Sequence, residues 1–339
     1  MTNRYLKIFE ELKRTKVEPL HKDSRVLIVD GLNTFIRSFA ASPVTNDNGL
    51  HIGGISGTLL SIGYAIKTVD PTRVIVVFDG KNGSKRRREV FPEYKANRKF
   101  KIRLNRSEEV DDDGNDQLRQ LMRLVEYMSH MPFSVVTIEG VEADDVVGYL
   151  ATERFKEQCY IMSSDKDFLQ LVNDRVHIWS PTKKRLYYTQ DIVDEYGIHP
   201  NNFVLYRALT GDKSDNIPGI DGFGLKTLIK LYPQFANETV LTIDDIISYA
   251  ETQPKSKMCI KIAQSRGLIE RNLGLMQLSE AFIPTTSKLK ALDQVNNPSR
   301  LVKYKFQALL FEDRMTTAIK NVDMWTREVL QKIDGYLLD

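Results

Sequence analysis

Short apolar, β-branched runs recur along the chain at 25–30 (RVLIVD), 73–78 (RVIVVF), 133–138 (FSVVTI), 158–162 (QCYIM) and 175–179 (RVHIW). Strands buried on both faces of a parallel sheet read as such unbroken apolar runs. Between them, apolar residues fall at helical spacing over 32–40, 54–69, 116–130 and 144–156. Strand and helix patterns in alternation predict βαβ units with right-handed crossovers. The expected fold is therefore α/β, with a mostly parallel central sheet and helices on both faces.

Three stretches depart from this rhythm. Residues 1–24 alternate Tyr5, Leu6, Ile8, Phe9 and Leu12 with charges, which predicts a short amphipathic helix as an N-terminal extension. Residues 81–118 form a long polar excursion after the second strand, and an insertion of that length in a compact domain is usually functional or disordered. After Tyr188 the character changes. The stretch 191–211 reads as helical, followed by GDKSDNIPGIDGFGLKTLIKLY, then a linker at 251–258 and helical patterns at 304–315 and 326–338. The expected organisation is an extension over 1–24, an α/β domain over 25–200 carrying the excursion, a glycine-rich turn region over 201–250 and a helical region over 251–339.

Composition narrows the class. A chain of 339 residues can bury a large core. Its two cysteines, Cys159 and Cys259, and five scattered histidines offer neither a disulfide framework nor a zinc site. No apolar run reaches the roughly 18–20 residues that span a bilayer, and the first residues are too charged for a secretion signal. The expectation is a soluble, cytoplasmic, monomeric protein.

The net charge of +3 hides strong segregation. From Lys81 to Arg106 the chain places Lys85, Arg86, Arg87, Arg88, Lys95, Arg98, Lys99, Lys101 and Arg103, interleaved with Phe91, Tyr94 and Phe100, before switching to Glu108, Glu109, Asp111, Asp112, Asp113 and Asp116. Cations for a phosphate backbone and rings for bases are what a nucleic-acid clamp needs.

Nine carboxylates supply the chemistry. Asp30, Asp79, the group Glu142, Asp144 and Asp145, and the pair Asp165 and Asp167 each follow one of the apolar runs; Asp212 and Asp215 lie in TGDKSDNIPGI. In open α/β sheets ligands bind beyond the carboxyl ends of the strands, so these acids are expected to meet on one edge. Two like charges about 4 Å apart repel by roughly 4 kcal/mol at an effective dielectric near 20. Such a set needs protonation or cations, and all-oxygen ligands favour Mg²⁺ or Mn²⁺. Downstream, Gly219, Gly222 and Gly224 allow a tight turn into a helix carrying Lys226 and Thr227, a backbone suited to phosphate contact. The turn is not a nucleotide-binding P-loop, because Leu225 stands where that motif needs lysine.

The ordered set LIVDGLNTFIRSF, VVFDG, RREVFPEYKANR, VEADDVV, SSDKDFLQL and GDKSDNIPGIDGFGLKT, covering about residues 25–230, resembles the 5′-nuclease (flap endonuclease) superfamily, a PIN-like fold. SSDKDFLQL with WSPTKKRLYY is most similar to the RNase H, a 5′-3′ exonuclease, of T-even-like phages. The resemblance implies a metal-dependent 5′-3′ exonuclease and flap endonuclease acting where a 5′ single strand meets duplex, removing RNA primers in DNA replication. It implies two or more Mg²⁺ or Mn²⁺ ions, with Asp30, Asp79, Glu142 and Asp144 around the first, Asp165, Asp167, Asp212 and Asp215 around the second, and Asp145 beside either. Lys95 and Arg98 are implied as catalytic. Arg37, Arg87, Tyr94, Gly219, Gly222, Gly224, Lys226 and Thr227 are implied as DNA contacts, and K⁺ at the helix-hairpin-helix of 219–224. The resemblance implies that the excursion over 81–118 matches the family's helical arch, disordered without DNA and partly ordered with it. The implied partners are DNA, RNA-DNA hybrid with a 5′ flap or 5′ end, and a single-stranded-DNA-binding protein, in the host cytoplasm if phage-encoded. Two other readings share parts of this pattern: a PIN-like single-strand ribonuclease, and a non-catalytic DNA-junction binder.

Overall fold

The computed structural model describes residues 20–97, 113–279, 283–315 and 317–338. Residues 1–19 of the extension expected over 1–24, Arg98 and the remainder of the basic tract lie outside the described residues.

The apolar runs become strands β1 (Arg25–Asp30), β2 (Arg73–Phe78), β3 (Ser134–Thr137), β4 (Gln158–Met162) and β5 (Val176–Ser180). A further strand, β6 (Arg185–Tyr187), which the sequence pattern did not mark, returns antiparallel along β5. The sheet order is β3-β2-β1-β4-β5-β6, with all pairs but the last parallel. The chain runs outward from β1 in one direction to β2 and β3, then crosses back to β4 on the other side of β1. Between β1 and β4 lies the switch point where doubly wound sheets open a crevice.

Alternate side chains leave the sheet on opposite faces, and both faces are buried. Val26, Ile28, Ile75 and Val77 belong to one core, Leu27, Val29, Val74 and Val76 to the other. The helices up to Leu231 are α1 (Gly31–Ala41), α2 (Gly53–Val69), α3 (Lys85–Val90), α4 (Asp113–Met128), α5 (Ala143–Tyr149), α6 (Thr189–Tyr196), α7 (Phe203–Thr210) and α8 (Leu225–Leu231), and further helices follow to the end of the described residues. Residues of α1, α2 and α4 cover the second face together with Phe306, Leu310, Trp325, Leu330 and Ile333 from the far end of the chain. Residues of α5, α7 and the segments through Val295 cover the first.

Departures from the expected helices have local causes. The stretch 191–211 is two helices, because Gly197 takes a left-handed φ of 67° and Pro200 follows. Within the excursion, α3 stops at Val90, two residues before Pro92. The helix expected over 144–156 ends as a regular α-helix at Tyr149 and continues as a wide turn over Leu150–Arg154. Gly80 is required by the sheet itself: a Cβ there would stand 1.7 Å from the Ile138 carbonyl oxygen. This close approach brings the end of β2 against the loop leading to Glu142.

Candidate active site

Strand ends set the positions of the first acids. Asp30 is the last residue of β1 and caps α1, its Oδ1 accepting from the Asn33 amide at 3.2 Å. Its other oxygen accepts from the Ser163 hydroxyl at 2.9 Å, across the switch point. Asp79 follows β2 and its Oδ1 accepts from the Ala143 amide at 2.8 Å, joining it to the start of α5. Asp165 follows β4, accepting from the Asp167 amide at 2.9 Å.

Electrostatics show which acids crowd one another. Burial, then the charges of Asp165 and Asp79, push the Asp30 carboxyl up to about 7. Burial and the charges of Asp30, Asp165 and Asp79 hold Asp144 well above the ordinary carboxylate range, although Lys95 works the other way. Asp165 is likewise raised, by burial and by Asp215 and Asp212. Asp167 is pushed up to about 7 by burial and Asp165, despite Arg207. The sequence expectation that these acids converge on one edge therefore matches the coordinates.

The set divides by how its charge is met. Arg87, only 5% exposed, donates to both oxygens of Asp145 at 2.8 and 2.7 Å, pairs with Glu142, and donates from Nε to the Leu275 carbonyl at 2.8 Å. Lys95 pairs with the other oxygen of Glu142. Arg207 of α7 donates to Asp167 at 2.7 Å and pairs with Asp212, whose Oδ1 also accepts from the amide and hydroxyl of Ser214, both at 2.7 Å. Against the cost of burial, Arg87 and Lys95 keep Glu142 below the usual range, and Ser214 with Arg207 does the same for Asp212. Asp30, Asp79, Asp144 and Asp165 have no ion-pair partner among the described residues.

Two expectations for DNA contact need correction. Arg87 is enclosed by Asp145, Glu142 and Leu275, so it cannot guide a strand; it is an internal counter-ion. Tyr94 is 3% exposed, its hydroxyl donating toward Glu142 at 3.2 Å and Asp215 at 3.3 Å, so its ring is no stacking platform. Phe91 also turns inward, under Arg271 at 4.4 Å. Asp145, expected beside a metal, has both oxygens taken by Arg87. An aromatic among basic residues looks the same in sequence whether it faces solvent or protein. Arg207 was not singled out at all; its partners lie 40 and 5 residues away, and no local pattern marks it.

Other sequence candidates fall around this edge. Lys95 adopts a left-handed φ of 56° and its amide donates to the Asp215 carbonyl at 2.9 Å, while Asn216 donates to the Glu93 carbonyl at 2.8 Å and Asn97 to that of Lys213 at 3.0 Å. The base of the excursion is thereby fastened to the Asp212–Asp215 turn. Arg37 of α1 donates to Ser164 beside Asp165. In the glycine turn, a Cβ at Gly219 would lie 2.2 Å from the Thr210 backbone carbon, Gly222 has φ +75°, and a Cβ at Gly224 would meet nothing within 4 Å. Lys226 is exposed and Thr227 half-buried on α8.

The family model for the 5′-3′ exonuclease N-terminal resolvase-like domain matches residues 25–197. The chain belongs to this 5′-3′ exonuclease family. One member, the 5′-3′ exonuclease of Buchnera aphidicola from Acyrthosiphon pisum, is 32% identical over 276 residues, covering 79% of this chain and 91% of the relative. DNA polymerase I of Thermus filiformis is 36% identical over 217 residues, covering 63% of this chain and 24% of that longer protein. Among solved structures, the bacteriophage T5 flap endonuclease in a pseudo-enzyme–product complex with DNA and metal ions superposes with a TM-score of 0.62 at 27% identity, covering 86% of this chain and 99% of that one. Membership in the 5′-3′ exonuclease family makes this chain a nuclease, a hydrolase of nucleic acid. Among the described residues, no helix is long and apolar enough to cross a membrane.

The donor set fits divalent cations. Four carboxylates with no ion pair among the described residues crowd one another at the strand ends, and oxygen-only ligands suit Mg²⁺ or Mn²⁺. Among the described residues the acids are not closed into a ready coordination shell.

Proposed function

We propose that this chain is a two-cation 5′ nuclease, a 5′-3′ exonuclease and flap endonuclease that hydrolyses phosphodiesters where a 5′ single strand meets duplex, removing RNA primers and adjoining DNA in replication. The observation that carries it is the group Asp30, Asp79, Asp144 and Asp165, mutually repelling and lacking any ion pair among the described residues. With Glu142 they are the residues to hold a first Mg²⁺ or Mn²⁺; Asp167, Asp212 and Asp215, with Asp165 between, are those nearest a second. Bound cations in such a pair activate water and neutralise the scissile phosphate and leaving oxygen.

The chain's own groups position the substrate. Lys95, held at the acid edge by Glu142, is placed to offset charge on a phosphate oxygen, and Arg98 lies three residues on in the same tract. The turn over 219–224, with its open Gly224 and the exposed Lys226 beside it, supports a backbone grip on duplex, with K⁺ seated on its carbonyls. RNA-DNA hybrid as well as DNA, a single-stranded-DNA-binding protein as partner, and a monomeric state belong to the same reading.

A 5′-labelled flap incubated with the protein and Mg²⁺ should release short products, and chelation by EDTA or Asp79→Asn should stop this. Cleavage that persists under either treatment would overturn the proposal.

A further inference from the structure

Arg207 stands where the second cation is proposed, yet it carries a positive charge of its own. Its Nε donates to Asp167 at 2.7 Å and its other arm pairs with Asp212. It is mostly buried, anchored on α7, and five residues ahead of Asp212 across the Gly211 bend. Asp212 is in turn fixed on its far oxygen by two donors from Ser214. Among the described residues, one oxygen of Asp167 is left without a protein donor. A guanidinium bridging two carboxylates holds them in a planar, directional geometry that an ammonium cannot reproduce.

We infer that Arg207 is a positioning residue that holds Asp167 and Asp212 in place while keeping the second cation weakly bound. The inference rests on the two-cation reading above. A fixed positive charge beside a divalent ion would oppose its binding, while the same charge holds Asp167 and Asp212 in place. A cation held by Asp167 and Asp212 would supply positive charge to the substrate phosphate, and Arg207 would keep it exchangeable rather than fixed. Removing the charge strengthens the local negative field and frees the two carboxylates to close directly on an ion. A residue with a merely structural role would behave oppositely, since its loss would disorder the ligands and weaken binding.

The test is Mn²⁺ titration of the full chain followed by electron paramagnetic resonance, on the unaltered protein, Arg207→Gln and Arg207→Lys. Arg207→Gln should tighten the weaker Mn²⁺ class by about tenfold or more, leave the tighter class within about threefold, and lower kcat on a flap substrate with KM unchanged. Arg207→Lys, which keeps the charge, should retain the weak class and recover part of kcat. A weaker class that is unchanged or weakened in Arg207→Gln overturns the inference, as does a tightening of the same size in Arg207→Lys. Should Arg207→Gln lose its cooperative melt, the arginine-to-lysine comparison alone decides: a weak class displaced by more than about threefold overturns it, and one held within that range supports it. If the unaltered protein binds only one Mn²⁺ at any concentration, with or without a flap, it is the two-cation reading that fails.

Discussion

Arg87 and Asp145 meet in a two-pronged ion pair, at 2.8 and 2.7 Å, inside the protein rather than on its DNA-facing surface. The arginine comes from the base of the basic excursion and the aspartate from α5, so the pair bolts the excursion to the wall of the acid cleft.

Breaking a buried pair leaves a charge stranded. Arg87→Met should destabilise the fold by about 3–5 kcal/mol, because Asp145 loses both donors and Glu142 keeps only Lys95 and Tyr94. Arg87→Met combined with Asp145→Leu should recover at least half of that loss. Urea unfolding measures both, and a double variant no more stable than the single one would show that the pair is not what holds this region.

The acid cleft gives metal-free protein an unusual pH response. Asp30 and Asp167 titrate near 7 in the fold, against about 3.9 in an unfolded chain. The folded state therefore holds these protons more tightly, and the stability they contribute is fully present below about pH 4 and is lost as pH rises through about 7. Glu142 and Asp212, which are depressed, stay ionised across this window and do not reverse the trend. In EDTA the melting temperature should fall between about pH 5 and about pH 8. With Mg²⁺, which binds only the deprotonated acids, the protein should gain most at the upper end and release protons on binding. Calorimetry in buffers of different ionisation enthalpy detects that release; metal binding without it contradicts the assignment of these carboxylates.

Gly80 ties strand packing to the site. Gly80→Ala forces a methyl into the Ile138 carbonyl, with an expected loss of about 3 kcal/mol from overpacking. It should also shift Asp79 away from the Ala143 amide, so Mg²⁺ affinity should fall along with stability. A variant as stable as the parent in urea would mean the β2 and β3 ends part without strain.

Much of this arrangement was legible in the residues. Strands β1 to β5 announced themselves because burial on both faces leaves no polar alternation, and their carboxyl ends fixed where Asp30, Asp79 and Asp165 would gather. What escaped has two causes: an element too short to leave a pattern, and partners far apart in the chain. Strand β6 is three residues whose exposed arginine and buried tyrosine gave no apolar run. The inward turn of Tyr94 depends on Glu142 and Asp215, 48 and 121 residues on. Arg207 looks like any helix-surface arginine until Asp167 is placed beside it.

The second core closes with residues from the far end of the sequence. Trp325 stacks on Phe306 at 5.8 Å between ring centres, and a Cβ at Gly63 of α2 would lie 2.9 Å from its indole. A growing polypeptide thus cannot complete the packing behind β1 and β2 until this tail has left the ribosome. The cleft rests on those two strands, so a nascent chain lacks a finished cutting edge until the residues through Ile333 have been made.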